Sequence, residues 1–297
     1  MSSTSTHVPL QFPISAHDLA RVYIKMEHIG ATVLKCTFGD DVALDRAERF
    51  VFAAADRAIQ AGQTEDVFVS RSYYSWRAAE YAPYGLPPDA IGFDASHAGQ
   101  TSASDVFETL PDALGLPFPR WCILDVRVPD PTRIIPARML NLYLSQPIRS
   151  QSELQRTDML PVWFWNNDGS LGIPITAPTF DRIPDIPTRI HATSLKVGFW
   201  WHNYGPLEKQ IQLRTKESRK DTSGYCVSLR RLATATCKAV KNAMAVYENG
   251  DIVTGRTQWE ELRWRIGTGP GCVSVRDVVL LGLVYVSPGR VMPLLRL

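Results

Sequence analysis

Two aromatic runs constrain the fold more than any other feature of this sequence: WFWNNDG at residues 163–169 and FWWHNYG at residues 199–205. Because successive side chains of a β-strand point to opposite faces, Trp163 and Trp165 share one face while Phe164 takes the other. The second run obeys the same rule, with its middle ring opposite the other two. Each strand therefore needs cover on both faces, from the core on one side and from a second packing partner or a ligand on the other.

Three environments would suit such rings. Interior hairpins would bury them, since each aromatic side chain covers roughly 150–250 Å² and such residues dominate ordinary cores. A carbohydrate site would place rings against sugar C–H surfaces, with the Asn and Asp side chains of the turns taking the hydroxyl groups. Single-stranded nucleic acid would stack its bases on the rings, at about 1–3 kcal/mol for each base. The sequence leaves all three open.

A cluster of lysine and arginine residues follows the second aromatic run, in KQIQLRTKESRK at residues 209–220. This cluster favours a binding protein whose partner is anionic, either nucleic acid or an acidic protein, with a lectin-like carbohydrate binder as the alternative. We predict neither a cofactor nor a metal ion. The expected aromatic and basic surface consists of Trp163, Trp165, Asp168, Trp200, Trp201, His202, Tyr204, Lys209, Arg214 and Lys216.

Catalytic motifs of high specificity are missing from the sequence, so whether the protein is an enzyme stays open. A catalytic set can still assemble from distant positions, and His97, Cys122 and His202 are the candidates for it. His97 follows Asp94 closely, and Cys122 precedes Asp125 on an expected strand. A small-molecule enzyme with a histidine-based site is therefore a further alternative.

Charge divides the chain unevenly. Residues 1–120 hold 9 basic and 15 acidic residues, whereas residues 186–297 hold 17 basic and 8 acidic ones. Four prolines in residues 174–187 predict an extended connector between the two regions. We expect an acidic N-terminal part at residues 1–177 and a basic C-terminal part at residues 188–297, either as two units or as one continuous domain.

Hydrophobic periodicity predicts an α+β fold, with a mixed or antiparallel sheet and two main amphipathic helices. The first helix spans residues 40–62, with Asp40 or Asp41 at its start and Gly62 at its end, and the second lies within residues 226–250. Residues 120–128 read as a buried strand. The apolar run before Pro288 and Gly289 predicts a buried element, a turn and a final short strand.

Several features argue for a cytoplasmic or nuclear protein that is not secreted. The N-terminus lacks the basic and apolar segments of a signal peptide. The five cysteines are odd in number and widely separated, which is typical of a reducing compartment. No apolar stretch reaches roughly 18 residues, so we expect no membrane span.

Three segments resemble a family of uncharacterised intracellular proteins of mushroom-forming fungi. They are WHNYGPLEKQIQLRT, the basic helix CVSLRRLATATCKAVKNAM and the closing LLGLVYVSPGRVMPLLRL. The shared patterns are W-x-x-Y-x-x-x-x-x-Q-I and V-S-x-G-x-x-x-P, and they cover about the last third of the chain. The resemblance implies an intracellular, non-secreted protein, and no activity or site residue follows from it.

Overall fold

The computed structural model describes most of the chain in separate stretches. These are residues 15–60, 73–75, 86–87, 89–94, 121–140, 152–153, 155–201, 204–214, 226–250 and 263–297. Helices and strands both occur, and the larger sheet is mixed, so the predicted α+β class is confirmed.

Three helices open the described chain: α1 (Ala16–Glu27), α2 (Val33–Phe38) and α3 (Asp40–Gln60). Helix α3 confirms the first predicted helix, and its two leading aspartates lie in its first turn. Helix α1 adds a third main helix to the two that periodicity predicts. It begins after Ser15, whose side chain accepts a hydrogen bond from the Asp18 backbone N–H at 3.1 Å.

A small antiparallel sheet joins β1 (Tyr73–Ser75), β2 (Ala90–Asp94) and β3 (Trp121–Val126) in that order. Strand β3 confirms the predicted strand at residues 120–128. Its side chains alternate between two groups of buried apolar residues, Cys122 and Leu124 in one and Ile123 and Val126 in the other. Residues 122–126 of β3 are therefore buried, with neighbours in both groups.

The larger sheet contains six strands, β4 to β9, with the bounds Val162–Trp163, Ile173–Pro174, Ser194–Phe199, Leu207–Gln212, Val279–Ser287 and Arg290–Arg296. Their order in the sheet is β4-β8-β9-β6-β7, and β5 also pairs with β8. All pairs are antiparallel except β6 with β9. The predicted buried element is the strand β8, and β9 confirms the predicted final strand. Gly289, in the turn between them, takes the positive φ of +79° that the turn requires.

Helix α4 (Leu229–Asn249) confirms the second predicted helix. Ser228 caps its N-terminus by accepting a hydrogen bond from the Arg231 backbone N–H, and Gly250 follows its last residue. The helix buries ten residues in one apolar face, among them Leu232, Val240 and Met244. These residues pack on one face of the larger sheet, where they join buried side chains of β6 and β7.

The larger sheet is covered on both faces. Phe164, Val197 and Leu283 point to the α4 side, whereas Trp163 and Leu281 point to the side of α2 and β3. Strands β4 and β5 belong to the predicted N-terminal part, and they pair with β8 of the predicted C-terminal part. The sheet therefore contains strands from both predicted parts. The division into two parts stays a prediction.

Two buried charges fasten the N-terminal layer. Arg46 of α3 is 6% exposed and donates hydrogen bonds to the carbonyl oxygens of Tyr285, Asp158 and Met159 at 2.8, 3.1 and 2.9 Å. Burial lowers the pKa of Arg46 to about 10, so it remains charged at neutral pH. The second is Asp125 of β3, which is fully buried.

The Asp125 carboxylate accepts hydrogen bonds from the Thr32 hydroxyl at 2.6 Å and from the backbone N–H groups of Leu34 and Val126 at 3.1 and 2.8 Å. Two of these donors belong to the start of α2, so the carboxylate fixes that helix to β3. Burial raises the pKa of Asp125, and the nearby His28 and the three hydrogen bonds oppose this rise.

All five cysteines lie in described stretches and carry free thiols. Within those stretches, no helix combines the length and the apolar character needed to cross a bilayer. The same part of the chain contains no group of three or more His, Cys, Asp or Glu residues placed to bind a metal ion.

Candidate functional site

The first aromatic run forms the hairpin that its turn residues predict. The Gly169 N–H donates to the Asn166 carbonyl at 3.0 Å, and the Asn166 N–H donates to the Ser170 carbonyl at 2.8 Å. Gly169 takes a φ of +79°, which favours glycine. Asp168 lies exposed at the tip, where hydrogen bonds from the Ser170 hydroxyl and N–H lower its pKa. Its carboxylate thus stabilises the turn.

The expected exposure of the rings is wrong. Trp163, Trp165, Trp201 and Tyr204 are only 1, 7, 4 and 4% exposed. Trp200 is half-buried, with the Arg138 guanidinium 5.9 Å from its ring centroid. Among the described rings of the two runs, none is fully exposed to a ligand, so the aromatic surface predicted from the sequence is withdrawn.

The physical reason is that both faces of the sheet are covered. Trp163, Trp165 and Trp200 pack on the side of α2 and β3, and the Trp163 indole N–H donates to the Ile123 carbonyl at 3.0 Å. Phe199 and Trp201 pack on the opposite side under α4. The second packing partner required by the alternation of these rings is therefore the N-terminal layer.

The candidate catalytic residues do not come together in the described part of the chain. His97 and His202 lie outside the described residues, as does Lys216. Cys122 is 1% exposed, and it points to the opposite side of β3 from Ile123 and Val126. Its expected neighbour Asp125 is fully buried by α2, so the two groups form no accessible pair.

Two predicted cations, Lys209 and Arg214, belong to β7 and the residues that follow it. Strand β7 lies at the end of the sheet order. Lys209 is two residues from both Leu207 and Ile211, which pack on the α4 side. Because residues two apart in a strand share a face, Lys209 also points to that side. The half-buried Arg214 lies just beyond the strand. Lys209 therefore borders α4.

Helix α4 runs antiparallel to β7. At one end Arg231 donates a hydrogen bond to the Gln212 carbonyl at 3.5 Å, and at the other the Tyr247 hydroxyl donates to the Gly205 carbonyl at 3.0 Å. From Gln212 to Lys209 the strand advances about 10 Å. From Arg231 to Lys238 the helix advances about 10.5 Å. Because these two advances are nearly equal, Lys209 and Lys238 lie at a similar height along the helix axis.

The outer face of α4 carries a row of cations. Arg231 and Lys238 are exposed and seven residues apart, so they lie on the same side of the helix, and the half-buried Lys241 flanks them. We call Lys209, Arg231, Lys238 and Lys241 the α4 basic face. In the described stretches 209–214 and 226–247 there is no acidic residue.

Acidic neighbours do not neutralise this face. Glu208 points away from α4 and pairs with Lys196 at 3.0 Å and Arg290 at 2.5 Å. Within the described residues, no carboxylate lies within 4 Å of Lys209, Lys238 or Lys241. The face therefore retains an uncompensated positive charge.

Sequence reasoning placed Lys209 and Arg214 in the site but omitted Arg231, Lys238 and Lys241. Their spacing on the polar side of a predicted amphipathic helix was the available signal. What the sequence could not supply was the direction of α4 beside β7, because that contact joins distant segments.

Comparison of the chain with protein-family models, with curated proteins and with solved structures gave no match in any of the three. The resemblance to the fungal family stays a prediction. Any functional argument consequently depends on the site itself.

Proposed function

We propose that this protein binds nucleic acid through phosphate contacts made by the α4 basic face. The observation that carries the proposal is the pair of exposed cations Arg231 and Lys238 on one side of α4, with no acidic residue in the described stretches 209–214 and 226–247. Lysine and arginine contacts to phosphate oxygens position a protein on a duplex without reading its sequence.

Burial of the aromatic rings bears on the kind of nucleic acid. Single-strand binding without sequence preference uses exposed rings on which bases stack. Trp163, Trp165 and Trp201 are buried and support no such stacking. A convex helix with cations and short polar side chains, among them the exposed Thr234 and Asn242, suits the backbone of a duplex better.

Salt-dependent duplex binding tests the proposal. A fluorescently labelled mixed-sequence DNA duplex is titrated with the full-length protein at several salt concentrations, and anisotropy gives the affinity. Because each phosphate contact contributes about 0.9 to the slope of log K against log salt, Lys238→Gln should reduce the magnitude of that slope by roughly one. Affinity at low salt should fall several-fold.

The matched control is Lys25→Gln, which removes an exposed lysine from α1 on the N-terminal layer. It should leave both the affinity and the slope unchanged. Equal losses in the two variants would mean that general charge, and not the α4 basic face, attracts the duplex. Binding of an acidic protein without any binding of duplex would also overturn the proposal.

A further inference from the structure

A cleft of about 630 Å³ opens at the end of the larger sheet, and none of the residues that line it belongs to the α4 basic face. Its walls come from the 3-10 helix Pro131–Arg133, the end of β5, the loop before β8, the first residue of β8 and Leu297, which follows β9. Volumes of this size are usual for small-molecule sites. The cleft therefore has room for a ligand of moderate size.

Three arginines line this cleft from separate segments: Arg133, Arg263 and Arg276. Arg263 donates a hydrogen bond to the Thr132 carbonyl, which brings it beside Arg133. Its guanidinium also lies 4.8 Å from the ring centroid of Trp264, whose side chain is buried. Packing and hydrogen bonding thus hold this guanidinium at the cleft, at a lower entropic cost than a free side chain.

Arg276 extends from a turn that its neighbours hold rigid. Asp277 accepts hydrogen bonds from the Ser274 N–H at 2.9 Å and the Ser274 hydroxyl at 2.7 Å. These bonds lower the pKa of Asp277, so its carboxylate stays ionised while it closes the turn. The carboxylate serves the loop, and Arg276 is left to face the cleft.

The other nearby carboxylate is used in the same manner. Asp130 accepts hydrogen bonds from the Thr132 hydroxyl at 2.6 Å and the Thr132 N–H at 3.0 Å, and these bonds, followed by Arg133 and Arg263, lower its pKa. In the described part of the chain no carboxylate lies within 4 Å of the three cleft arginines. Burial and the proximity of Arg133 lower the pKa of Arg296 as well, which indicates crowded positive charge.

Apart from Asp277, whose carboxylate closes the turn at Ser274, and Cys272, the side chains of the remaining wall are apolar. Pro174, Val279 and Leu297 contribute to it, and the buried Val273 lies behind. An arginine cluster on one side and an apolar wall on the other suit a ligand with an anionic group and an apolar body. The planar guanidinium fork matches the oxygens of a phosphate group, and three such forks suit a dianion better than a single carboxylate.

We infer that this cleft is a binding site for a small molecule that carries a phosphate group and an apolar body. The site is independent of the proposed duplex binding, because it uses arginines in a concave setting and shares no residue with the α4 basic face. Arg133, Arg263 and Arg276 bind the phosphate, and Pro174, Val279 and Leu297 contact the apolar body.

Calorimetric titration of the full-length protein with phenyl phosphate, inorganic phosphate and benzoate tests the site at constant ionic strength. Phenyl phosphate should bind about tenfold more tightly than inorganic phosphate, because its ring leaves water at the apolar wall. It should also bind more tightly than benzoate. Equal binding of benzoate would assign the cleft to carboxylates and overturn the phosphate assignment.

Arg276→Gln and Arg133→Gln should each weaken phenyl phosphate binding about tenfold, since each removes a charge-assisted hydrogen bond. Both side chains are exposed, so the fold should persist, and urea unfolding of each variant verifies this. Arg182→Gln, which removes an exposed arginine elsewhere, is the matched control and should bind as the wild type does.

Lys238→Gln separates the two proposals. It should weaken duplex binding and leave phenyl phosphate binding unchanged, because Lys238 lies on α4 and not in the cleft. Wild-type affinity for phenyl phosphate in both cleft variants, or no saturable binding of phenyl phosphate at all, would overturn the inference about the cleft.

Discussion

The two faces of the larger sheet are covered by different means. Under α4 the contact is mainly apolar, with Leu232, Val240 and Met244 packed on strand residues. On the opposite face the N-terminal layer carries the charged side chains that are buried in the described chain, Arg46 and Asp125. The α4 layer is attached mainly by apolar area, and the N-terminal layer is also attached by hydrogen bonds of buried charged side chains.

The two kinds of contact differ in how strictly they define the position of a helix. An apolar face tolerates small shifts, because the hydrophobic effect has no preferred direction. A buried charge has to meet its partners closely, since an unpaired one is costly. The hydrogen bonds of Arg46 and Asp125 therefore define how α3 and α2 sit on the strands, whereas α4 is positioned mainly by apolar packing, with hydrogen bonds from Arg231 and Tyr247 near its two ends.

The largest expected effect comes from Arg46→Ala. It leaves three carbonyl groups without their donor and a void where the side chain was, so we expect a loss of about 4 kcal/mol in the free energy of unfolding. Urea denaturation measures it. Arg49→Ala, which breaks an exposed ion pair with Asp45 on the same helix, should cost no more than about 0.5 kcal/mol. A loss below about 1 kcal/mol for Arg46→Ala would remove the basis of the comparison.

Leu232→Ala tests the apolar layer. Leu232 of α4 is fully buried. Its truncation should lower the free energy of unfolding by about 3 kcal/mol, through lost transfer energy and a residual cavity. The loss should be the same at pH 5 and pH 8, since no described buried charge lies in that layer. Asn242→Ala, an exposed change on the same helix, should alter stability by less than about 0.5 kcal/mol. A strongly pH-dependent loss would contradict the contrast between the layers.

Asp125→Asn should give the smallest change and the clearest pH signature. The raised pKa means that the native state binds this proton more tightly than the unfolded chain does. Its contribution to stability is therefore complete below the unfolded pKa of about 3.9 and is lost as pH rises through the folded value. The asparagine amide keeps the hydrogen-bonding shape without titrating, so the variant should gain stability relative to wild type as pH rises above the unfolded pKa.

Urea unfolding at several pH values measures this difference, with Asp45→Asn as an exposed carboxylate control on α3. A difference between Asp125→Asn and wild type that stays constant with pH, or that moves in favour of wild type, would show that the Asp125 carboxylate does not behave as a desolvated group.

Local patterns predicted those elements that local chemistry determines. Helices α3 and α4 follow from their apolar spacing, and the β8–β9 hairpin follows from its apolar run and Gly289. Helix α1 was missed, although Ser15 followed by Asp18 is the signature of a helix start. The pattern of the two tryptophan runs correctly required cover on both faces. It could not reveal that protein, and not a ligand, supplies the second cover, because α2 and β3 are distant in sequence.

The candidate sites were predicted only in part for the same reason. Lys209 and Arg214 were identified from their local charge density. Lys238 joins Lys209 only through the fold, and the cleft arginines Arg133 and Arg276 lie in segments with no local motif. Sites assembled from distant segments leave little trace in a single sequence.

The pairing of the larger sheet also determines when it can form. Val162 pairs with Leu283 and Val197 pairs with Val291, so β4 finds its neighbour, and β6 one of its two neighbours, in strands that come much later in the chain. During synthesis on the ribosome, the inner strands β8 and β9 emerge after β4, β5 and β6, to which they pair. The nascent chain must keep apolar strands unpaired until then, which makes slow, late folding and a need for chaperones the expected cost of this topology.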